Sequence, residues 1–225
     1  MRHNWKPASH HLAIHFLDQF ILKSFDEIDP TKMKLIAVAC LLMSTKLEEP
    51  CQPRVKDFVF VVNFDYTTTE IIEQENIIMD RLDYKLVCES SVNFALYLLQ
   101  ELDAPEQLRN YTLYVLEVSM FSTQKVKIKN SLLACGAIYI AAKCFGRDEL
   151  MIGVLKLSGY GKSSIRRCAS KLHGMIVDGN QYRGVGGKEK KEEGLNLRAV
   201  NKKYAAEKFD RLSNYDLMVG GEGKS

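Results

Sequence analysis

The 225-residue sequence has no strong excess of either charge: 31 lysines and arginines stand against 28 aspartates and glutamates, a formal net charge of +3. Domains dedicated to nucleic acid usually concentrate basic residues on one face, so this balance argues against nucleic acid as the partner. Long apolar runs are missing too. LIAVACLLM and LLACGAIYIAA are shorter than the roughly 20 residues that a membrane-spanning helix needs, so we expect no membrane span.

Cysteine pairs at metal-binding or redox spacing are also missing. The six cysteines are scattered, with no C-x-x-C pair, and we expect them to be reduced packing residues. His11 and His15 are spaced as two zinc ligands could be, but no third ligand follows at a suitable spacing. The sequence therefore predicts neither a metal site nor a cofactor.

The sequence contains no convincing set of catalytic groups. SGYGKSS (158–164) includes the G-K-S of a phosphate loop, but Lys156 occupies the position of the first required glycine, and no strand precedes it. Ser163 or Ser164 as the cap of the next helix is the simpler interpretation. Because no nucleophile, base and orienting acid can be grouped, we predict that the protein is not an enzyme.

Helical periodicity dominates the chain, since apolar residues recur at three and four positions over most of the first 177 residues. The pattern predicts an all-α protein. The predicted helical segments are 9–23, 31–48, 53–61, 67–83, 90–101, 105–121, 127–145, 148–155 and 162–177.

An internal repeat divides the predicted helices into two sets. AVACLLMSTKL (37–47) and ACGAIYIAAKC (134–144) are both apolar, rich in small residues and close on a lysine, Lys46 or Lys143. Each also follows an amphipathic helix, so we predict two copies of one helical bundle. The predicted domains are 1–88 and 89–179, followed by a charged, glycine-rich linker (180–194) and a C-terminal helix with a disordered tail (195–225).

Two charges interrupt apolar stripes in the first bundle. Lys46 continues the stripe of Leu35 and Leu42, and Glu75 interrupts the stripe of Ile71 and Met79. Opposite charges on two apolar stripes suggest a pair. An intramolecular ion pair and a partner-binding site are both compatible with this pattern.

Four segments in order resemble the cyclins, the regulatory subunits of cyclin-dependent kinases, and most closely the mitotic A and B types. The segments are LAIHFLDQF, STKLEEPCQPRVKDFVFV, EIIEQENIIMDRLDYKL and VNKKYAAEKFDRLS. The resemblance implies two tandem cyclin-type helical bundles. It also implies a subunit that activates a cyclin-dependent protein kinase in a heterodimer, sets its specificity and controls cell-cycle progression in the nucleus and cytoplasm. Kinase substrates or inhibitors are further implied partners.

The resemblance also implies which residues contact the kinase. Lys46 and Glu75 would bind main-chain groups around the C helix of the kinase, and five neighbours would form an apolar socket for that helix. The implied kinase-binding residues are Met43, Lys46, Leu47, Glu48, Glu49, Glu75, Met79, Tyr84 and Leu86.

The chain departs from the family pattern at several points. Gln19 replaces an arginine, and Lys34 replaces a glutamine that often helps to hold docking peptides. The first helix of the first box, with its M-R-x-x-L motif and tryptophan, has no counterpart, so we expect a shortened first bundle. We also expect no counterpart of the region that usually holds a destruction box.

Three alternatives remain open at this point. A transcription-associated cyclin would share the kinase-binding residues. A general transcription factor with a double cyclin-type fold would bind DNA and would need a basic face, for which the candidates are few: Lys125, Lys127, Lys129, Arg166, Arg167 and Lys171. An unrelated helical scaffold protein is the remaining alternative.

Overall fold

The described residues of the chain are all helices, turns and loops, without a β-strand. The computed structural model describes residues 5–122, 128–181 and 203–204, and the chain divides into two compact units, Met1–Ser90 and Ser91–Ser225. The described helices of the first unit are α1 (Pro7–Ser24), α2 (Met33–Glu48), α3 (Val55–Val61) and α4 (Thr68–Arg81). Those of the second are α5 (Ser91–Glu101), α6 (Glu106–Ser119), α7 (Asn130–Cys144), α8 (Leu150–Ser158) and α9 (Lys162–Gln181).

The helices confirm the predicted all-α class, with corrections at several ends. Helix α2 begins at Met33 because Pro30–Lys32 form a separate 3-10 turn, in which the Asp29 side chain accepts a hydrogen bond from the Thr31 N–H. Helix α8 extends to Ser158, beyond the predicted end, and stops where Gly159 adopts a left-handed φ of 70°. Apart from the end of α9 and residues 203–204, the predicted linker and C-terminal helix lie outside the described residues.

Helix α2 is the central helix of the first unit and packs against α1, α3 and α4. Its two apolar faces contribute to two clusters of buried side chains. The first cluster contains Phe16, Phe20, Ala39, Met43 and Ile78, among others; the second contains Leu35, Val38, Leu42, Phe58 and Ile71. Both faces of α2 are thus occupied, which fixes the direction in which its last turn points.

Helix α7 has the same role in the second unit, where it packs against α5, α6, α8 and α9. Gly136 allows the close approach of α9, because a Cβ at this position would lie 2.8 Å from the Cys168 Sγ and 3.3 Å from the main-chain nitrogen of Ala169. Gly136, a small residue of the repeated segment 134–144, therefore permits the close packing of α7 against α9.

Candidate functional site

An ion pair joins the last turn of α2 to the second turn of α4. The Lys46 Nζ lies 2.6 Å from the Glu75 Oε1 and 2.7 Å from its Oε2. The two side chains differ in burial, with 39% of the lysine but only 6% of the glutamate exposed. The structure thus brings together the two charges that the sequence singled out, with the lysine on the outside.

Features at the ends of α4 and α2 position Glu75 and Lys46, the two partners of the ion pair. Helix α4 starts with a capping box, in which the Thr67 hydroxyl accepts from the Glu70 N–H and the Glu70 carboxylate accepts from the Thr67 N–H at 2.8 Å. Lys46 lies in the last turn of α2, where a positive charge interacts favourably with the helix dipole. The glutamate therefore has a defined register, and the lysine is held towards it.

The pair leaves the ammonium able to bind a further group. A lysine ammonium has three N–H donors, and the two carboxylate oxygens of Glu75 engage the donors on one side of Lys46. Because the Lys46 side chain is more than a third exposed, a main-chain carbonyl from a partner could approach the remaining donor. The intramolecular pair thus orients the lysine and does not exclude a partner contact.

Apolar side chains with exposed surface flank the pair. Leu47 follows Lys46 in the chain and is 55% exposed, while Met79, one turn beyond Glu75 on α4, is half-buried. Ile72, which is 41% exposed, lies three residues before Glu75 on the same helix. Sequence reasoning missed Ile72, although its i, i+3, i+7 relation to Glu75 and Met79 places all three on one face. We call Lys46, Leu47, Ile72, Glu75 and Met79 the α2–α4 surface.

Tyr84 and Leu86 follow the C-terminal end of α4. Asp83 and Tyr84 both adopt left-handed φ values, 53° and 55°, and this bend leaves Tyr84 65% exposed. Its hydroxyl donates a 2.6 Å hydrogen bond to the Asp80 carboxylate, which raises the pKa of Tyr84. Leu86 is half-buried and packs against the first core cluster of its unit.

Met43 and Glu49 both stabilise the fold of the first unit. Met43 is only 3% exposed and belongs to the core between α1, α2 and α4, so it supports the α2–α4 surface from beneath.

The Glu49 Oε1 accepts hydrogen bonds from the Lys6 main-chain N–H at 2.7 Å and from the Ser9 hydroxyl at 2.6 Å. Glu49 thereby satisfies donors at the start of α1. The half-buried Glu48 contributes its main-chain carbonyl to the Lys6 Nζ at 3.1 Å.

The G-K-S segment opens a helix and does not form a phosphate loop. Helix α9 starts at Lys162, and the Gly161 carbonyl accepts from the main-chain N–H groups of Ser164 and Ile165. Both Ser163 and Ser164 lie inside the helix, so the expectation that one of them is the N-cap is wrong. Gly159 and Gly161 provide the turn between α8 and α9 instead.

Among the described residues, no group of three metal-ligating side chains forms a potential metal site. His11 and His15 lie on α1, where His11 is buried and His15 is half-buried. The described helices also include none with the length and apolar character needed to cross a membrane.

Two family models together match most of the chain. The model for "Cyclin, N-terminal domain" matches residues 1–87, and the model for "Cyclin, C-terminal domain" matches residues 90–216. A viral cyclin from herpesvirus saimiri has a similar crystal structure, with a TM-score of 0.50 and 13% identity over 76% of this chain and 88% of that chain. This likeness concerns the fold.

Curated relatives include plant, human and fungal proteins. Cyclin-B2-1 of Oryza sativa subsp. japonica is 28% identical over 199 residues, covering 88% of this chain and 44% of the relative. Cyclin-A1 of Homo sapiens is 27% identical over 75% of this chain and 36% of the relative. The G2/mitotic-specific cyclin CLB2 of Candida albicans is 28% identical over 76% of this chain and 35% of the relative. The chain thus spans less than half the length of these relatives.

Proposed function

The chain belongs to the cyclin family, and on that premise we propose that it is a regulatory subunit that binds and activates a cyclin-dependent protein kinase. The observation that carries the proposal is the Lys46–Glu75 pair, in which a buried carboxylate orients an exposed ammonium amid exposed apolar side chains. The A-type and B-type relatives favour the mitotic class and a role in cell-cycle progression.

The α2–α4 surface has the chemistry to receive one end of a partner helix. The last carbonyls of a helix have no intrahelical partner, and Lys46 can donate to one of them while Glu75 holds it in place. Leu47 and Ile72 are exposed in the isolated chain, so burying them against an apolar helix would contribute at about 25 cal/mol per Å². Charge would set the register of the contact, and apolar area would supply most of its affinity.

Activation would follow from a shift in the conformations of the kinase. A subunit that binds only the conformation with the C helix packed inward raises the population of that conformation. The catalytic Lys–Glu ion pair of the kinase then forms, which is a requirement for phosphoryl transfer. The chain itself contributes no catalytic group to this mechanism.

Single substitutions in the pair test the proposal against an internal control. Lys143 lies in the last turn of the repeated helix of the second unit and pairs with Asp148 at 2.8 Å, with 40% of its side chain exposed. It therefore matches Lys46 in its own exposure and in having a carboxylate partner, but this partner is exposed. Binding of the purified chain to a panel of cyclin-dependent kinases would be measured by interferometry, together with the activity of each kinase. Lys46→Ala should weaken binding by about 2 kcal/mol or more, and Lys143→Ala should not.

Two outcomes would count against this function. One is that no kinase in the panel binds or is activated by the parent chain. The other is that Lys46→Ala and Lys143→Ala bind the kinase equally well, which would reduce the Lys46–Glu75 pair to a structural feature. Circular dichroism of each variant would verify that its helices remain folded.

A further inference from the structure

Positive charge is concentrated in helices α7 to α9, far above the average for the chain. Residues 128–177 contain eight lysines and arginines but only two acidic residues, Asp148 and Glu149. Both acids are already engaged, Asp148 by Lys143 and Glu149 by Arg147. This span therefore carries more net positive charge than the whole chain, whose formal net charge is +3.

Part of this charge surrounds a cavity between the start of α7 and the first half of α9. The cavity has a volume of about 340 Å³, and its wall includes Lys129, Arg167 and Lys171. All three cationic side chains are exposed, and in the described part of the chain none of them forms an ion pair. Among the described residues that line the cavity, none is acidic. We call it the α7–α9 cavity.

The rest of the wall is apolar or aromatic and is held in place by the fold. Leu132 and Tyr160 are half-buried, and Cys168 is buried beneath them. The Tyr160 hydroxyl lies 2.8 Å from the Ser131 Oγ on α7, which fixes the aromatic ring beside the cavity. The site thus combines an apolar wall with a cationic rim.

Several cations lie near the start of α9, a position that is unfavourable for this helix. Helix α9 opens with Lys162, has no acidic residue in its first turn, and continues with Arg166 and Arg167. Cations near a helix N-terminus oppose the helix dipole. Arg167 of this group lines the α7–α9 cavity, and together with Lys129 and Lys171 it gives the cavity a positive potential that favours an anionic ligand.

We infer that the α7–α9 cavity binds a peptide that carries a phosphorylated serine or threonine next to an apolar side chain. A phosphate group carries up to two negative charges and three acceptor oxygens, which suit three separate cations, and the Arg167 guanidinium can bind two phosphate oxygens at once. The neighbouring apolar side chain of the peptide would pack on Leu132 and Tyr160. The cavity has the size of a pocket for one or two side chains.

The shape favours a peptide over nucleic acid. A nucleic-acid surface neutralises many phosphates along an extended stripe, whereas the cations of α9 divide between two cavities. Lys162 and Arg166 line a different cavity of about 250 Å³, which also contains the Lys143–Asp148 pair. The α7–α9 cavity thus has a small group of cations beside an apolar wall, and not an extended stripe of positive charge.

Fluorescence anisotropy on the chain alone tests the inference independently of kinase binding. The probe is a short fluorescein-labelled peptide with one phosphothreonine between two leucines, compared with its unphosphorylated form, its glutamate form and a single-stranded DNA. Arg167→Gln and Lys171→Gln should each weaken binding of the phosphopeptide about tenfold or more, since each removes a charge-assisted hydrogen bond. Lys156→Gln, an exposed position on α8 outside the cavity, is the charge-matched control and should leave the affinity unchanged.

The phosphopeptide should bind more tightly than the glutamate form and much more tightly than the unphosphorylated form. Absence of saturable binding would overturn the inference, as would equal binding of the phosphorylated and unphosphorylated peptides. Tighter binding of the DNA, with equal losses in all three variants, would assign these charges to a nucleic-acid surface and would also overturn it.

Discussion

Glu117 on α6 holds Tyr204, which lies 87 positions later in the chain: the Tyr204 hydroxyl donates to the Glu117 Oε2 at 2.9 Å. The same oxygen forms an ion pair with the Lys203 Nζ at 2.6 Å. The Tyr204 side chain is buried, and its ring meets that of Tyr114 edge-on, with 5.2 Å between the centroids. Lys203 and Tyr204 are the K-Y of the sequence segment VNKKYAAEKFDRLS, so this part of the segment packs on the second unit.

Tyr204→Phe should lower the free energy of unfolding by about 1.5 to 3 kcal/mol, because it removes one hydrogen bond to a charged group and keeps the buried ring. Tyr204→Ala should cost more, about 3 to 5 kcal/mol, since it also removes the aromatic packing on Tyr114. Urea denaturation followed by circular dichroism would measure both changes. Equal stability of Tyr204→Ala and the parent would contradict the docking of this segment.

The same hydroxyl should make stability depend on alkaline pH. Burial, reinforced by the neighbouring Glu117 carboxylate, raises the pKa of Tyr204. The neutral phenol is therefore favoured in the folded state, and its stabilisation is complete below the unfolded pKa of about 10 and lost as the pH rises above it. Tyr204→Phe should lose less stability than the parent above this pH. Burial also raises the pKa of Tyr111, so part of the dependence should remain in the variant.

Glu49→Ala should destabilise the first unit by about 1 to 3 kcal/mol, because it leaves the Lys6 N–H and the buried Ser9 hydroxyl without their acceptor. Glu48→Ala is the matched control, since the contact recorded for Glu48 uses its main-chain carbonyl. Thermal unfolding of the two variants should show a clear loss for Glu49→Ala and little change for Glu48→Ala. Equal losses would show that the capping contact contributes nothing.

The sequence predicted the helices well because their apolar residues repeat at the helical period, which is a local signal. It also indicated that Lys46 and Glu75 belong together, since each charge interrupts an apolar stripe, but it left open whether they form an ion pair with each other or bind a partner. The capping role of Glu49 was missed because its partner Ser9 lies 40 positions away, and no local pattern records such a contact. Burial of Met43 depends in the same way on the packing of α1 and α4 around α2.

Gly136→Ala should destabilise the second unit by about 1 to 3 kcal/mol, since the added methyl group would overlap Cys168 and press on Leu172. Gly174→Ala on α9 is the control: its Cβ would meet nothing within 4 Å, and alanine is the better helix former by up to about 1 kcal/mol. The two substitutions should therefore change the free energy of unfolding in opposite directions. A stabilised Gly136→Ala variant would show that α7 and α9 do not pack as described.

The control for the proposed kinase contact of Lys46 and Glu75 is an exchange at the equivalent pair of the second unit. Lys143 and Asp148 are 40% and 61% exposed, and exposed ion pairs contribute little to stability. Lys143→Glu combined with Asp148→Lys should therefore leave both the unfolding transition and kinase binding close to those of the parent. This variant also matches the charge changes of an exchange at Lys46 and Glu75.

Exchange of the first pair, Lys46→Glu with Glu75→Lys, should act on both stability and binding. Because Glu75 is 6% exposed and Lys46 is 39% exposed, the exchange moves an ammonium group into the more buried position. We expect the variant to remain helical but to lose about 1 to 3 kcal/mol of unfolding free energy. Kinase binding should fall much further, because a carboxylate at position 46 cannot donate to a partner carbonyl. Binding and activation equal to those of the parent, measured below the unfolding temperature of the variant, would show that the pair contributes only to the fold.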